Sequence, residues 1–165
     1  MRSLCALPLL LLAGCVTGEA AMQDEALSPL ARQQADPQLA LMDHVLSEYF
    51  ASDIASRPTV CASVSDGRED VAMTPEDERA LIVRYEQLAP FSRCMWTADG
   101  WADQESEEPA LVFQVHSFAC ASDTSCSAFA GYTSGNAASM SRRYTIEWRG
   151  GRWAFESDPR ILMER

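Results

Sequence analysis

The sequence contains no lysine, and all 13 of its basic residues are arginine. This excludes mechanisms in which a lysine amine forms a Schiff base with the substrate. Positive charge is scarce as well, because 24 acidic residues leave a formal net charge of -11. Nucleic-acid binding needs a basic surface that releases counterions from the phosphates, so this charge argues against a nucleic-acid partner.

Motifs that carry chemistry are also missing. The sequence has no Gly-x-Ser-x-Gly motif, no phosphate-binding loop and no Cys-x-x-Cys pair of the kind found in zinc sites and redox-active dithiols. An acidic stretch over residues 99–109 lacks the ligand spacing of a calcium-binding EF-hand, and we interpret it as a solvated loop. We therefore predict no catalytic residue, no metal site and no cofactor.

Hydrophobic runs are short, and none approaches the ~20 residues that a membrane-spanning helix needs. The run over residues 4–13 follows Arg2 and has the length of the hydrophobic part of an export signal. It ends in Leu12-Ala13-Gly14-Cys15, which resembles the lipobox of bacterial lipoproteins. The resemblance implies cleavage before Cys15, so that residues 1–14 are a signal peptide and the Cys15 thiol carries a lipid.

The lipobox resemblance also implies a location. Val16 follows the lipidated cysteine, at a position where aspartate would retain such a protein at the inner membrane of enteric bacteria. We therefore expect the protein at the periplasmic face of the outer membrane. Its lipid would bind the membrane, and an envelope protein would be a second partner. Residues 15–36 are interpreted as a flexible tether, and residues 37–165 as a single domain with enough apolar residues for one core.

Two helices are predicted in the first half of the domain. Asp36 and Pro37 form a helix start, with Asp36 as the N-cap, and an apolar stripe continues to about residue 56. Thr74 and Pro75 start a second helix, which Pro90 ends. The stretch between the helices has strand composition over residues 59–64.

The second half of the domain predicts antiparallel strands over residues 111–119, 127–133, 141–149 and 152–156. Gly150 and Gly151 form a two-residue hairpin signal between the last two strands. The predicted fold is α+β, with two helices packed on a four-stranded antiparallel meander plus one additional strand. This order of elements is similar to that of cystatin-like and NTF2-like folds, although the chain carries no motif of either family.

Four cysteines remain in the exported domain, and three pairings of them are possible. Cys120 and Cys126 flank a polar loop between two predicted strands, so we expect them to form one disulfide. Cys61 and Cys94 would then form the second, across the fold. Both bonds suit an oxidising compartment.

The two histidines are the remaining candidates for proton transfer. His44 lies beside the apolar stripe of the first helix and is interpreted as a boundary residue. His116 has the opposite strand parity to Leu111, Phe113 and Val115, so we expect it to face solvent or a cleft, where it could meet Glu147.

One aromatic segment adds to these candidates. Small and aromatic residues alternate over residues 128–136, and Gly131 there indicates either a β-bulge, which we favour, or a close approach by a ligand or another backbone.

Two functional hypotheses follow. The first is a non-enzymatic accessory or binding module of the cell envelope, which predicts an apolar or aromatic groove without convergent titratable groups. The second is a small-ligand-binding or hydrolytic domain, which predicts a pocket between helix and sheet with His116 and Glu147 both pointing into it.

Overall fold

The computed structural model describes residues 28–65, 69–134 and 139–162. The signal peptide, Cys15 and the first part of the predicted tether lie outside these residues. The described chain forms a mixed six-stranded sheet, with two α-helices on one face and a two-stranded hairpin on the other. The fold is therefore α+β, as the sequence predicts.

Along the chain, helices and strands alternate in the first half, and a run of strands follows that completes the sheet. The helices are α1 (Pro37–Ala51) and α2 (Pro75–Arg84), with short 3-10 turns at Pro29–Arg32 and Phe91–Arg93. The strands are β1 (Thr59–Ser65), β2 (Asp70–Val71), β3 (Cys94–Thr97), β4 (Gly100–Asp103), β5 (Ala110–Ser122), β6 (Ser125–Ser134), β7 (Ser139–Arg149) and β8 (Arg152–Leu162).

The main sheet has the strand order β2-β1-β5-β6-β7-β8. Strands β5 to β8 pair antiparallel with their neighbours and form the predicted meander. The additional strand β1 pairs parallel with β5, which makes the sheet mixed, and β2 extends its edge. Gly150 and Gly151 have φ values of +59° and +78°, as the predicted two-residue turn between β7 and β8 requires.

One face of the sheet, which we call the core face, packs against the helices. Phe113, Tyr144, Ile146 and Trp153 point to this side and are buried, as strand alternation predicts. Helix α1 lies over β5, β6 and β8 and contributes Leu39, Met42, Val45 and Leu46, while α2 adds Leu81. The apolar stripe of α1 is therefore explained by burial against the sheet.

Both helices end earlier than predicted. Helix α1 stops at Ala51, and Ile54, which we expected in the buried stripe, is 39% exposed. Asp36 precedes α1 but makes no side-chain capping bond, whereas the Thr74 hydroxyl accepts a hydrogen bond from the Asp77 amide and caps α2. Arg84 is the last residue of α2, and Tyr85 after it has an extended backbone.

The helices are held together by a buried carboxylate. Asp43 of α1 is 1% exposed, and its Oδ1 lies 2.7 Å from Nε of Arg84. The Tyr85 hydroxyl donates to the same carboxylate oxygen at 2.8 Å. Burial, with a further contribution from Asp43, raises the pKa of Tyr85 to about 12.

The opposite side of the sheet, which we call the hairpin face, is covered near β1 and β5 by β3 and β4. Trp101 packs there on Val112 and on the Cys61–Cys94 pair. The prediction of a continuous acidic loop over residues 99–109 is wrong, because β4 occupies its first part. Asp103 is 1% exposed and accepts two hydrogen bonds from Arg93, which hold the pKa of that carboxyl well below its usual range.

The two predicted disulfides are confirmed. Cys61 bonds to Cys94 and joins β1 to the start of the β3–β4 hairpin. Cys120 bonds to Cys126 across the turn between β5 and β6.

The end of the predicted tether is part of the folded domain. Leu30, in the first 3-10 turn, is 9% exposed and belongs to the core cluster. The indole nitrogen of Trp153 donates to the carbonyl of Gln33 at 3.0 Å. The ordered domain therefore reaches back at least to Ser28.

Candidate functional site

The site that stands out is a cleft between the C-terminal half of α1 and the core face of the sheet. We call it the α1 cleft, and its volume is about 210 Å³. It is lined by Val45, Glu48 and Tyr49 of α1 and by Ser52, which follows the helix, and by Phe113 of β5, Ala130, Gly131 and Tyr132 of β6, and Met140, Arg142 and Tyr144 of β7. At ~30 Å³ per water molecule, it could hold about seven waters or a small organic molecule.

Two regular spacings bring these side chains together. Residues 45, 48, 49 and 52 recur at three- and four-residue intervals, so they form one stripe on α1. On β7, Arg142 has the same parity as the buried Tyr144 and therefore points to the core face. Arg142 thus stands at a core-face position where a filled core would have an apolar side chain.

The interior of the α1 cleft is aromatic. The rings of Tyr49 and Phe113 are 5.1 Å apart, and those of Phe113 and Tyr132 are 5.7 Å apart. Among the described residues, the hydroxyls of Tyr49, Tyr132 and Tyr144 make no hydrogen bond to protein, so each can donate to a ligand. Burial raises the pKa of Tyr49 and Tyr144, which keeps both phenols protonated at neutral pH.

Two charged groups line the cleft together with these rings. The Arg142 guanidinium has no carboxylate within salt-bridge distance among the described residues, and its nearest polar partner is the Met140 sulfur at 4.0 Å. Glu48 is largely exposed and lies 3.5 Å from Nε2 of His44. Arg142 is therefore a half-buried charge in the cleft for which the described residues supply no counterion.

His44 is a boundary residue, as predicted. Its ring stacks on Phe155 with a centroid distance of 4.6 Å and meets Tyr144 edge-on at 5.9 Å. Burial lowers the pKa of His44, which favours the neutral ring at pH 7. It supports the edge of the cleft without lining it.

His116 lies on the opposite side of the sheet from the α1 cleft. The expectation that it faces solvent or a cleft is wrong, since it is 5% exposed and its ring stacks on Phe129 at 5.4 Å. Its ring nitrogens contact the hydroxyls of Ser141 at 3.1 Å and Ser117 at 3.3 Å. Sequence reasoning missed this Ser141 contact, but the adjoining cavity of about 10 Å³ has room for roughly one water and no substrate.

His116 and Glu147 do not share a pocket. His116 pairs with Phe129 and Glu147 pairs with Ser125, four residues further along β6. At ~3.3 Å per strand residue, the two positions are separated by roughly 13 Å along the sheet. Glu147 instead forms an ion pair with Arg149.

Gly131 lies in an unbroken ladder between Gln114 of β5 and Ser141 of β7. A Cβ at this position would lie 1.7 Å from the Met140 carbonyl oxygen. The favoured interpretation as a bulge is wrong, and the close approach of another backbone is confirmed. The two register shifts between β5 and β6 fall elsewhere, one after Cys120 and one after His116, where Ser117 has a φ of +52°.

The site agrees with parts of both hypotheses. The α1 cleft is the helix–sheet pocket of the second hypothesis, but it uses neither of the residues predicted for it. It is aromatic, as the first hypothesis expects, yet it also holds Glu48 and Arg142. Over the described ranges, no group of three or more His, Cys, Asp or Glu residues is arranged to hold a metal ion.

Within the same part of the chain, no helix has the length and apolar character needed to cross a membrane. Comparisons with models of protein families, with curated proteins and with solved structures find no match for this chain.

Proposed function

We propose that this chain is a bacterial lipoprotein at the periplasmic face of the outer membrane, whose domain binds a small, largely apolar molecule in the α1 cleft. The observation that carries the binding part is the cleft itself, which has aromatic walls and about 210 Å³ that no side chain of the described chain fills. The anchoring part rests on Leu12-Ala13-Gly14-Cys15 and its resemblance to a lipobox.

Binding is favoured over catalysis. No histidine or cysteine is among the residues that line the α1 cleft. A serine or thiol nucleophile activated by a histidine base is therefore not available there. The side chains that line the cleft can make apolar contacts, hydrogen bonds and an ion pair with a ligand, which is what a binding site requires.

A neutral fluorescent dye, N-phenylnaphthylamine, tests the binding part. We expect saturable binding by the purified domain, and loss of the saturable signal in S52W, because a tryptophan at this exposed edge position would cover the opening. A51W is the matched control, since Ala51 is exposed next to Ser52 but does not line the cleft. Equal binding by wild type and S52W would contradict the proposed site.

Metabolic labelling with palmitate tests the anchoring part. The wild-type precursor should incorporate label and fractionate with the outer membrane, whereas C15S should do neither. C5S is the matched control, because Cys5 lies in the predicted signal peptide and should be removed with it. Labelling of C15S equal to that of wild type would refute lipidation at Cys15.

A further inference from the structure

We propose that the ligand of the α1 cleft is a small monocarboxylate with an aromatic or aliphatic body, whose carboxylate pairs with Arg142. This inference rests on the proposed binding function and adds the chemical class of the ligand.

The charge at Arg142 is the first reason. A guanidinium half-buried beside aromatic rings, with no carboxylate partner among the described residues, has lost part of its hydration without gaining a counterion. Carboxylates are the natural partners of arginine, since its planar donors match two carboxylate oxygens at once. A ligand carboxylate would supply the missing counterion.

The tyrosine hydroxyls are the second reason. Tyr49, Tyr132 and Tyr144 all line the cleft, and their hydroxyls have no protein partner in the described chain. Neutral phenols can donate hydrogen bonds to a carboxylate, and a charged acceptor makes such bonds stronger than a neutral one. Together with Arg142 they favour an anionic headgroup.

The remaining walls describe the body of the ligand. Val45, Phe113, Ala130 and Met140 present apolar surface, and the volume of about 210 Å³ limits the occupant to a small molecule. Glu48 opposes an anion, but it is exposed, so solvent screens its charge. It should therefore weaken carboxylate binding without preventing it.

A matched ligand series tests the inference. Phenylbutyrate, phenylbutanol and phenylbutylamine share one apolar body and differ in the charge of the headgroup. In competition with the neutral dye, we expect phenylbutyrate to bind about tenfold more tightly than phenylbutanol, which is the order of a charge-assisted hydrogen bond. Phenylbutylamine should bind most weakly.

Four variants separate a binding role of Arg142 from a structural one. R142Q should lower the affinity for phenylbutyrate to that for phenylbutanol, and Y144F should lower it by a smaller factor. E48Q should change it in the opposite direction and raise the affinity, which a loss of folding could not do. R143Q is the control, because Arg143 is the exposed neighbour on the hairpin face.

The outcomes separate this inference from the proposed function. If the three ligands compete equally, or if the amine binds best, the carboxylate class is wrong while the α1 cleft remains a binding site. If R142Q and R143Q have the same effect on phenylbutyrate, Arg142 does not bind the headgroup. If neither the dye nor any of the three ligands binds, the proposed function fails as well.

Discussion

At the scale of single residues, parity and spacing predicted which side chains face the core, but they could not predict what lies above each face. The burial of Tyr144, Ile146 and Trp153 agrees with strand alternation, because burial of one sheet face is a local pattern. Parity predicted the correct face of the sheet for His116, but the expectation of solvent exposure or a cleft was wrong, because Phe129 and Ser141 contact the ring from neighbouring strands. Such cover depends on contacts distant in sequence.

Gly131 provides the sharpest test at this scale. G131A should destabilise the fold by about 3 kcal/mol or more, because the new Cβ would collide with the backbone of Met140 rather than with a movable side chain. Urea unfolding would measure the difference. S127A, in the same strand and on the same face, should change the free energy of unfolding little, and an equally small effect of G131A would disprove the close approach.

The Tyr85 hydroxyl predicts a pH dependence. Its pKa is raised to about 12, so this group contributes stability below the ordinary tyrosine value near 10 and loses it as the pH rises towards the folded value. The free energy of unfolding should therefore fall between these two pH values.

Phenolate absorbance can isolate this group. Subtracting the alkaline titration of Y85F from that of wild type should leave one tyrosine that ionises near pH 12. A difference curve centred near the ordinary value of about 10 would contradict the buried hydrogen bond to Asp43.

At the scale of elements, the meander and its hairpin turn followed from composition, alternation and Gly150-Gly151, all of which are local signals. The β3–β4 hairpin is also a local element, but the acidic composition of residues 99–109 led us to predict a loop in place of its second strand. The parallel pairing of β1 with β5 did not follow from the sequence, because it depends on contacts between segments far apart in the chain. The α1 cleft also depends on contacts between segments far apart in the chain. Val45 and Tyr49 belong to the predicted apolar stripe of α1, but no local pattern shows that this stripe lies opposite Arg142.

The two disulfides should differ in their contribution to stability. Cys61–Cys94 spans 33 residues and Cys120–Cys126 spans 6, so loop-closure entropy gives about 4 and about 2 kcal/mol respectively. The double variants C61A/C94A and C120A/C126A should lower the free energy of unfolding in that order. An equal loss from both would show that loop closure is not what the bonds contribute.

At the scale of the whole molecule, the chain before α1 is part of the structure. A domain that begins at Pro37 loses the burial of Leu30 and leaves the Trp153 indole without the Gln33 carbonyl. Together these should lower the free energy of unfolding by about 3 kcal/mol relative to a domain that begins at Ser28. Chemical denaturation of the two purified domains measures this. Equal stabilities would mean that the 3-10 turn adds nothing to the fold.

That packing of Leu30 and Gln33 also fixes where a lipid tether would enter the domain. With the lipid on Cys15, only the 12 residues from 16 to 27 would separate the anchor from Ser28. This tether would span at most ~43 Å when fully extended. The tether would join the domain near the N-terminal end of α1, whereas the α1 cleft lies along the C-terminal half of this helix. The 15 residues of the helix measure about 22 Å. At ~43 Å this tether is longer than the helix, so a lipid would keep the domain close to the membrane without fixing the direction in which the cleft opens.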